Sequence, residues 1–135
     1  MSTRSYIGYI DNYSKVHLAY CHFDGYLEGV GSTLINFYNN KEKAIMLVKG
    51  GDMSSVGERR AEYYKDEAGP SVIDLYEIDK VLTDSWAEYC YLYDTMTNRW
   101  FWKDCYDGWG GAADWKPLAD EFDIQVKYIK KRRNQ

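Results

Sequence analysis

The sequence predicts one α+β domain, with a single antiparallel β-sheet and a helix hairpin packed on one face of it. A length of 135 residues suits one domain with its own core. Strand-like alternation of apolar and polar residues occurs near the N-terminus and in the middle of the chain, while helical spacing recurs in the stretch between them. Neither repeats nor composition divide the chain, so residues 1–135 are treated as a single domain.

The N-terminal region predicts a β-hairpin. Residues 5–10 and 15–23 have the composition and alternation of strands. Residues 11–14 between them supply turn-forming side chains, and Asp24 and Gly25 end the second strand. The first two strands are therefore expected to be neighbours in the sheet.

Two short helices are predicted to follow. Apolar residues recur at helical spacing from Leu27 to Phe37, and Asn40 is a favoured N-cap for a second helix. Gly50 and Gly51 suit a left-handed end to that helix. Because the link between the helices is short, we expect them to form a hairpin. The inward-facing residues of the second helix would be Ala44, Ile45 and Val48.

The central region predicts a second β-hairpin. Residues 86–93 and 99–105 alternate on either side of a turn at residues 94–98. Residues 71–77 have the composition of a further strand. The polar stretch 52–70 is expected to be a helical turn or an ordered loop.

The C-terminal region predicts three short segments. Residues 107–111 are a glycine-bearing loop around Trp109. Residues 115–122 predict a short helical turn, and residues 124–128 fit either a last strand or a continuing helix.

Charge is unevenly distributed along the chain. Residues 127–135 contain five basic residues and no acidic one, so the other 126 residues carry a net −9 within a chain of net −4. An acidic body repels phosphates, which argues against binding to duplex DNA. The basic tail is expected to be a solvated terminus, and contact with nucleic acid or an acidic partner is the alternative.

Cysteine usage and hydropathy predict the cellular setting. Cys21, Cys90 and Cys105 are odd in number, and their spacing fits neither a zinc site nor a redox pair. Residues 1–5 lack the hydrophobic core of a signal peptide, and no stretch approaches the roughly 18 apolar residues of a membrane span. We therefore expect a cytoplasmic chain with reduced thiols, no membrane contact, no metal and no cofactor.

The first candidate site is a glycine-rich corner where the second strand meets the first helix. Glycines let a ligand approach the backbone, and N–H groups at a helix start can hold an anion. His22 and Asp24, two apart on one strand face, could share a proton or grip a polar ligand. Asp24 and Glu28 would repel a phosphate, however, and the spacing matches no phosphate-binding fingerprint, so a corner packed for structural reasons is the alternative. The candidate ligand-binding residues are His22, Asp24, Gly25, Tyr26, Gly29 and Gly31.

The second candidate site is an aromatic face on the central hairpin. Strand alternation puts the tyrosines of one strand on a single face of that strand, and the tryptophans of its partner likewise on a single face. Such a face could stack nucleobases, pack as core beneath the helices, or form a seam in a homo-oligomer. The residues are Tyr89, Tyr91, Tyr93, Trp100 and Trp102, with Arg99 and Lys103 as cations.

Three further features of the sequence could take part in binding or catalysis. Trp109, on a glycine-bearing loop, is a candidate partner-binding anchor. The three aspartates between residues 104 and 114 do not have the spacing of a calcium loop, so no metal is predicted there. A thiol–imidazole pair is sterically allowed between His17 and Cys21, which share a strand face. Cys21 and His22 cannot pair, because adjacent residues in a strand point to opposite faces.

The N-terminal part also resembles a group of small bacteriophage and prophage proteins of uncharacterised function. The matching segments are Thr3-Arg4-Ser5-x-Ile7-Gly8, Tyr20-Cys21-His22-Phe23-Asp24-Gly25-Tyr26-x-Glu28-Gly29-Val30-Gly31 and Gly51-Asp52-Met53-Ser54-Ser55-Val56-Gly57. They are similar to the group's TRSxIG, YCHWDGYPEGVG and GDISSLG motifs, with Phe23 for Trp and Leu27 for Pro. The resemblance covers roughly the first 60 residues and carries no assigned chemistry. It implies an accessory phage protein acting in a bacterial cytoplasm.

Together these features favour a non-catalytic phage protein that binds and blocks a host component, such as a part of antiviral defence. The target would be a host protein or a nucleotide-like signal that the chain sequesters. One alternative is an enzyme that acts on a nucleotide through His22 and Asp24. The other is an acidic mimic of nucleic acid, for which a net −9 is a modest charge.

Overall fold

The computed structural model describes residues 2–65, 68–105 and 114–122. The strands are β1 (Ser5–Ile10), β2 (Lys15–Cys21), β3 (Met53–Val56), β4 (Ala61–Tyr63), β5 (Ser71–Asp74), β6 (Tyr89–Asp94), β7 (Arg99–Asp104) and β8 (Lys116–Pro117). The helices are α1 (Ser32–Phe37), α2 (Lys41–Lys49) and α3 (Ile78–Thr83), with a π-helical turn at Leu27–Gly31 and a 3-10 turn at Leu75–Glu77. Residues 118–122 are also helical. The α+β class is confirmed.

The sheet is mixed, so the prediction of a purely antiparallel sheet is wrong. Its strand order is β4-β3-β2-β1-β6-β7-β8, and β5 pairs with β2 beside β3. The β1–β2 and β6–β7 hairpins are antiparallel, but β6 lies parallel to β1, with Ile7 opposite Tyr91. Helices cross between the two hairpins, and such a crossover is the kind of connection that allows parallel pairing.

One face of the sheet carries the aromatic residues and is covered by α1 and α2. Strand alternation places the tyrosines of β6 and the tryptophans of β7 on this same face, because Tyr91 pairs with Trp102 and Tyr93 with Trp100. Leu34 of α1 and Val48 of α2 complete this main core. Both helices therefore contribute to this core, and their pairing with each other as a hairpin stays a prediction.

The other face is covered by α3, whereas the sequence predicts helices on one face only. Ile78 and Leu82, four residues apart on α3, pack against Val16, Leu18 and Leu92. The predicted strand at residues 71–77 ends at Asp74, and the chain then turns into this helix. A helix of six residues holds too few apolar positions for its period to stand out in the sequence.

Several local predictions are confirmed. The first hairpin has the predicted first strand, and its second strand begins at Lys15 as predicted but ends at Cys21, two residues earlier than predicted. The side chain of Asn40 caps α2 by accepting a hydrogen bond from the Lys43 N–H at 2.8 Å. Gly51, just after α2, is left-handed with φ +86°, as predicted for this end of the helix.

Other boundaries differ from the prediction. The stretch 52–70 contains the β3–β4 hairpin instead of a loop or helical turn. Residues 116–117 pair with β7 before the helical residues 118–122, which confirms only the later part of that predicted turn. The predicted loop at 107–111, the segment 124–128 and the basic tail lie outside the described residues.

Candidate functional site

His22 and Asp24 each contact a tyrosine at the glycine corner (residues 22–31). The second strand ends at Cys21 and Asp24 adopts a left-handed φ of 58°, so the two side chains do not share a strand face. His22 Nδ1 lies 2.8 Å from the Tyr20 hydroxyl, while the Tyr26 hydroxyl donates to the exposed Asp24 carboxylate at 3.5 Å. Each candidate group therefore has a tyrosine partner of its own.

The space beside the glycines of the corner is occupied by other atoms of the same chain. A Cβ on Gly29 would come within 3.0 Å of the Asp24 carbonyl oxygen, and one on Gly31 would lie 3.3 Å from the Tyr91 ring. Gly25 donates its N–H to the Thr3 carbonyl at 2.9 Å. Close approach of backbone is what these glycines permit here, and the approaching groups belong to this protein.

The N–H groups at the helix start are also occupied. The amides of Gly29 and Gly31 donate to the Tyr26 carbonyl at 3.0 and 3.4 Å, and the Val30 amide donates to the Asp24 carbonyl at 2.8 Å. An anion at this point would have to displace these internal bonds. The structural alternative accounts for the geometry of the corner.

The aromatic face of the central hairpin is mostly core. Tyr91 is 0% exposed and Trp100 is 1% exposed, and Trp102 is also buried. The indole N–H of Trp100 donates to the Tyr38 carbonyl at 3.1 Å. These rings offer no open face on which a nucleobase could stack.

The two candidate regions meet at one contact. The Tyr91 hydroxyl donates to the carbonyl of Gly25 at 2.7 Å, so a hydrogen bond joins the aromatic face to the glycine corner. Burial raises the pKa of Tyr91 well above its ordinary value, which keeps the phenol protonated as a donor. At the edge of the face, Tyr89 is half-buried beside Trp102. Arg99 and Lys103 alternate with the tryptophans along β7, so they lie on the opposite face and the prediction that they add cations to the aromatic face is wrong. Arg99 is exposed with its guanidinium 6.0 Å from the Phe101 ring centre, and Lys103 donates to Asp79 of α3 at 2.6 Å. Trp109 lies outside the described residues.

The cysteines and His17 do not form a reactive pair. Burial raises the pKa of Cys21 to about 11 and that of Cys105 to about 12, so both remain thiols near neutral pH. His17 Nε2 lies 2.8 Å from the Asp11 carboxylate, and its ring stacks on Tyr9 with centres 4.3 Å apart. Within the described ranges, no three acidic, histidine or cysteine side chains are grouped so as to hold a metal.

A surface groove lies between the two helices of the main core and the β3–β4 hairpin. Its volume is about 510 Å³. The floor is apolar and aromatic and the rim is charged, with three basic side chains and one acidic. We call this surface the basic-rimmed groove. Its lining residues are Phe37, Tyr38, Lys43, Met46, Leu47, Glu58, Arg59, Arg60, Ala61 and Tyr63.

Hydrogen bonds fix the walls of the groove. The Tyr38 hydroxyl donates to the Gly57 carbonyl, and the Tyr63 hydroxyl donates to the Leu47 carbonyl, each at 2.6 Å. Gly50 makes room for the Tyr63 ring, because a Cβ there would lie within 3.0 Å of it. The hairpin is thereby tied to both helices, and the groove is formed without a ligand.

Exposed apolar side chains contribute to this surface. Met46 is 73% exposed in the middle of α2, and Phe37 and Tyr63 are also exposed. A second depression of about 490 Å³, lined by Lys41, Glu42, Ile45 and Met46, adjoins the groove through Met46. An apolar patch of this kind with a polar rim is characteristic of binding surfaces.

One side of the groove, the β3–β4 hairpin, lies where the sequence predicts a helical turn or an ordered loop. Part of its signal is present in the order Arg60, Ala61, Glu62, Tyr63, which alternates as a strand does. The other part is in α2, whose buried residues are Ala44, Leu47 and Val48. That face leaves Met46 pointing outward.

A depression of about 630 Å³ surrounds Trp86, which is 85% exposed. It is lined by the continuous segment 82–88 together with Cys105. Asp84 and Glu88 are its charged residues, so it lacks the mixture of cations and apolar floor that marks the groove.

Comparison with protein-family models, curated proteins and solved structures finds no match to this chain. In the described part of the chain, no helix has the length and apolar character needed to cross a membrane.

Proposed function

We propose that this chain is a phage-type accessory protein that binds and blocks a component of a bacterial host, acting in the cytoplasm against antiviral defence. The observation that carries the proposal is the basic-rimmed groove, a preformed apolar surface with cations at its edge. Binding proteins need such a surface, with aromatic and methionine side chains as anchors.

The internal bonding of the reactive side chains supports binding over turnover. Cys21 is a buried thiol of raised pKa, and His17 and His22 are each held by a neighbouring side chain. A nucleophile or general base must instead be within reach of a substrate. Turnover of a nucleotide that is lost in His22→Ala would contradict this argument and favour the enzyme hypothesis.

The phage setting rests on the resemblance of the N-terminal motifs. Those motifs include the glycine corner, whose glycines are required by the packing at Gly29 and Gly31. Motifs shared with the phage group would therefore specify the fold, while the exposed groove would specify the target. A basic rim suits either an acidic protein surface or a nucleotide-like signal, since both carry negative charge.

The function is tested by incubating the immobilised, folded chain with host extract and then denaturing it. Mass spectrometry of the released fraction, for proteins and for small molecules separately, identifies what was held. We expect one saturable component that is missing when the chain is unfolded before incubation. Release of neither a host protein nor a small molecule would contradict the proposed function.

A further inference from the structure

We propose that the basic-rimmed groove binds an acidic amphipathic segment of a partner protein, with apolar side chains of that segment on the floor and its carboxylates facing the rim. This deepens the proposed function and rests on it, because it names the kind of target that the blocking surface would take.

The shape favours a chain segment over an enclosed small molecule. The groove and the adjoining depression share Met46 and together follow the exposed side of α2. A helix of nine residues is about 13 Å long. Small-molecule sites enclose most of the ligand surface, whereas an amphipathic helix lies along an open groove of this kind.

The charge favours an acidic partner. The two depressions are lined by four basic residues (Lys41, Lys43, Arg59, Arg60) and two acidic ones (Glu42, Glu58), a net +2 on a chain of net −4. Complementary charge of this type steers association and sets the orientation of the partner.

The rim cations are not used by the fold. Lys41 and Lys43 lie in the first turn of α2, where the helix dipole makes positive charge unfavourable. Arg59 has no ion pair within residues 2–65, 68–105 and 114–122, and Arg60 is paired only with exposed Glu62 at 3.7 Å. Such an exposed pair is weak, so both arginines remain available to a partner.

The floor supplies adaptable anchors. Met46 is unbranched and polarizable, and side chains of this kind fit apolar partners of different shapes. The Phe37 and Tyr63 rings flank it, and Tyr63 is held in place by its bond to the Leu47 carbonyl. A partner would thus meet an adaptable Met46 side chain next to a Tyr63 ring that is held by a hydrogen bond.

The probe is a labelled model helix of about 16 residues, roughly 24 Å long, with leucines along one face and glutamates elsewhere. Its matched control carries lysine in place of every glutamate, and ATP serves as the nucleotide probe. Fluorescence anisotropy gives the affinity, and backbone amide shifts locate the contact. Of the three probes, we expect only the acidic peptide to bind and to shift the amide resonances of α2 and β4. Its binding should weaken at high salt.

Met46→Asp and Arg59→Glu are the test variants, and each should weaken binding of the acidic peptide by about tenfold or more. Met96→Asp on the turn of the central hairpin and Lys80→Glu on α3 are the matched controls, since neither residue lines the two depressions, and Met96 is 71% exposed against 73% for Met46. We expect the controls to bind like the native chain. Equal thermal unfolding of all four variants would show that the fold is intact.

Unchanged binding in Met46→Asp, equal binding of the acidic and basic peptides, or groove shifts caused by ATP alone would overturn the proposal. Self-association of the chain that is lost in Met46→Asp would also overturn it, because the occupant would be a second copy. The two proposals fail separately. A host component retained fully by Met46→Asp refutes the groove assignment only, while peptide binding without any host component refutes the blocking function only.

Discussion

The glycine corner and the basic-rimmed groove contrast in what their residues contact. At the corner, Gly29 and Gly31 meet the protein's own backbone and the Tyr91 ring. At the groove, Met46 and Arg59 project from elements that are already fixed. The difference shows that a motif-like sequence can be a packing requirement, while a binding surface can be built from residues without a motif. Substitutions at the corner should therefore alter the stability of the fold, and substitutions at the groove should alter binding.

The largest expected effect tests whether the aromatic face is core. Trp100→Ala should lower the free energy of unfolding by about 3–5 kcal/mol, because it leaves a cavity and removes the bond to the Tyr38 carbonyl. Trp86→Ala, at a position 85% exposed, should change it by less than about 0.5 kcal/mol. Urea unfolding of both variants checks this. Similar values for the two would mean that the Trp100 ring is not core.

The next effect tests the closed corner. Gly29→Ala should destabilise the fold by about 1–3 kcal/mol, since its Cβ would press on the Asp24 carbonyl. Gly57→Ala is the control at the groove, where the nearest atom to a new Cβ is the Arg60 carbonyl at 3.2 Å. We expect a clearly smaller loss there in thermal unfolding. A tolerated Gly29→Ala would reopen the corner as a ligand site.

A smaller effect tests the bond that joins the aromatic face to the corner. Tyr91→Phe leaves the buried Gly25 carbonyl without its donor and should cost about 1–2 kcal/mol. Tyr63→Phe removes the partly buried bond to Leu47 and should cost about 0.5–1 kcal/mol. Chemical denaturation measures both losses, and the reverse order would break the distinction between the two regions.

The smallest effect concerns the rate at which Cys21 reacts. Its pKa is raised to about 11 by burial, so only about one thiol in a thousand is ionised at pH 8. Alkylation followed residue by residue with mass spectrometry should be slow at pH 8 and rise as pH approaches 11. Gly29→Ala should accelerate it by loosening the corner. Fast labelling of native Cys21 at pH 8 would show that the corner opens readily.

The sequence predicts the two hairpins, the cap at Asn40 and the left-handed Gly51, because each depends on neighbouring residues. It does not predict the parallel pairing of β1 with β6, which depends on contacts remote in the chain. The helix at Ile78–Thr83 and the β3–β4 hairpin are too short to show a period. The groove combines α1, α2 and that hairpin, so its residues come together only in the folded chain.

The parallel pair at the centre of the sheet also constrains the order of folding. The Thr95 hydroxyl donates to the Ile10 carbonyl, 85 residues earlier in the chain. During synthesis, β1 can pair with β2 early, but its other edge stays open until residues 89–94 have left the ribosome. Such long-range closure slows folding and leaves an exposed strand edge in the meantime. A truncated chain that stops before β6 would therefore be prone to aggregate through β1.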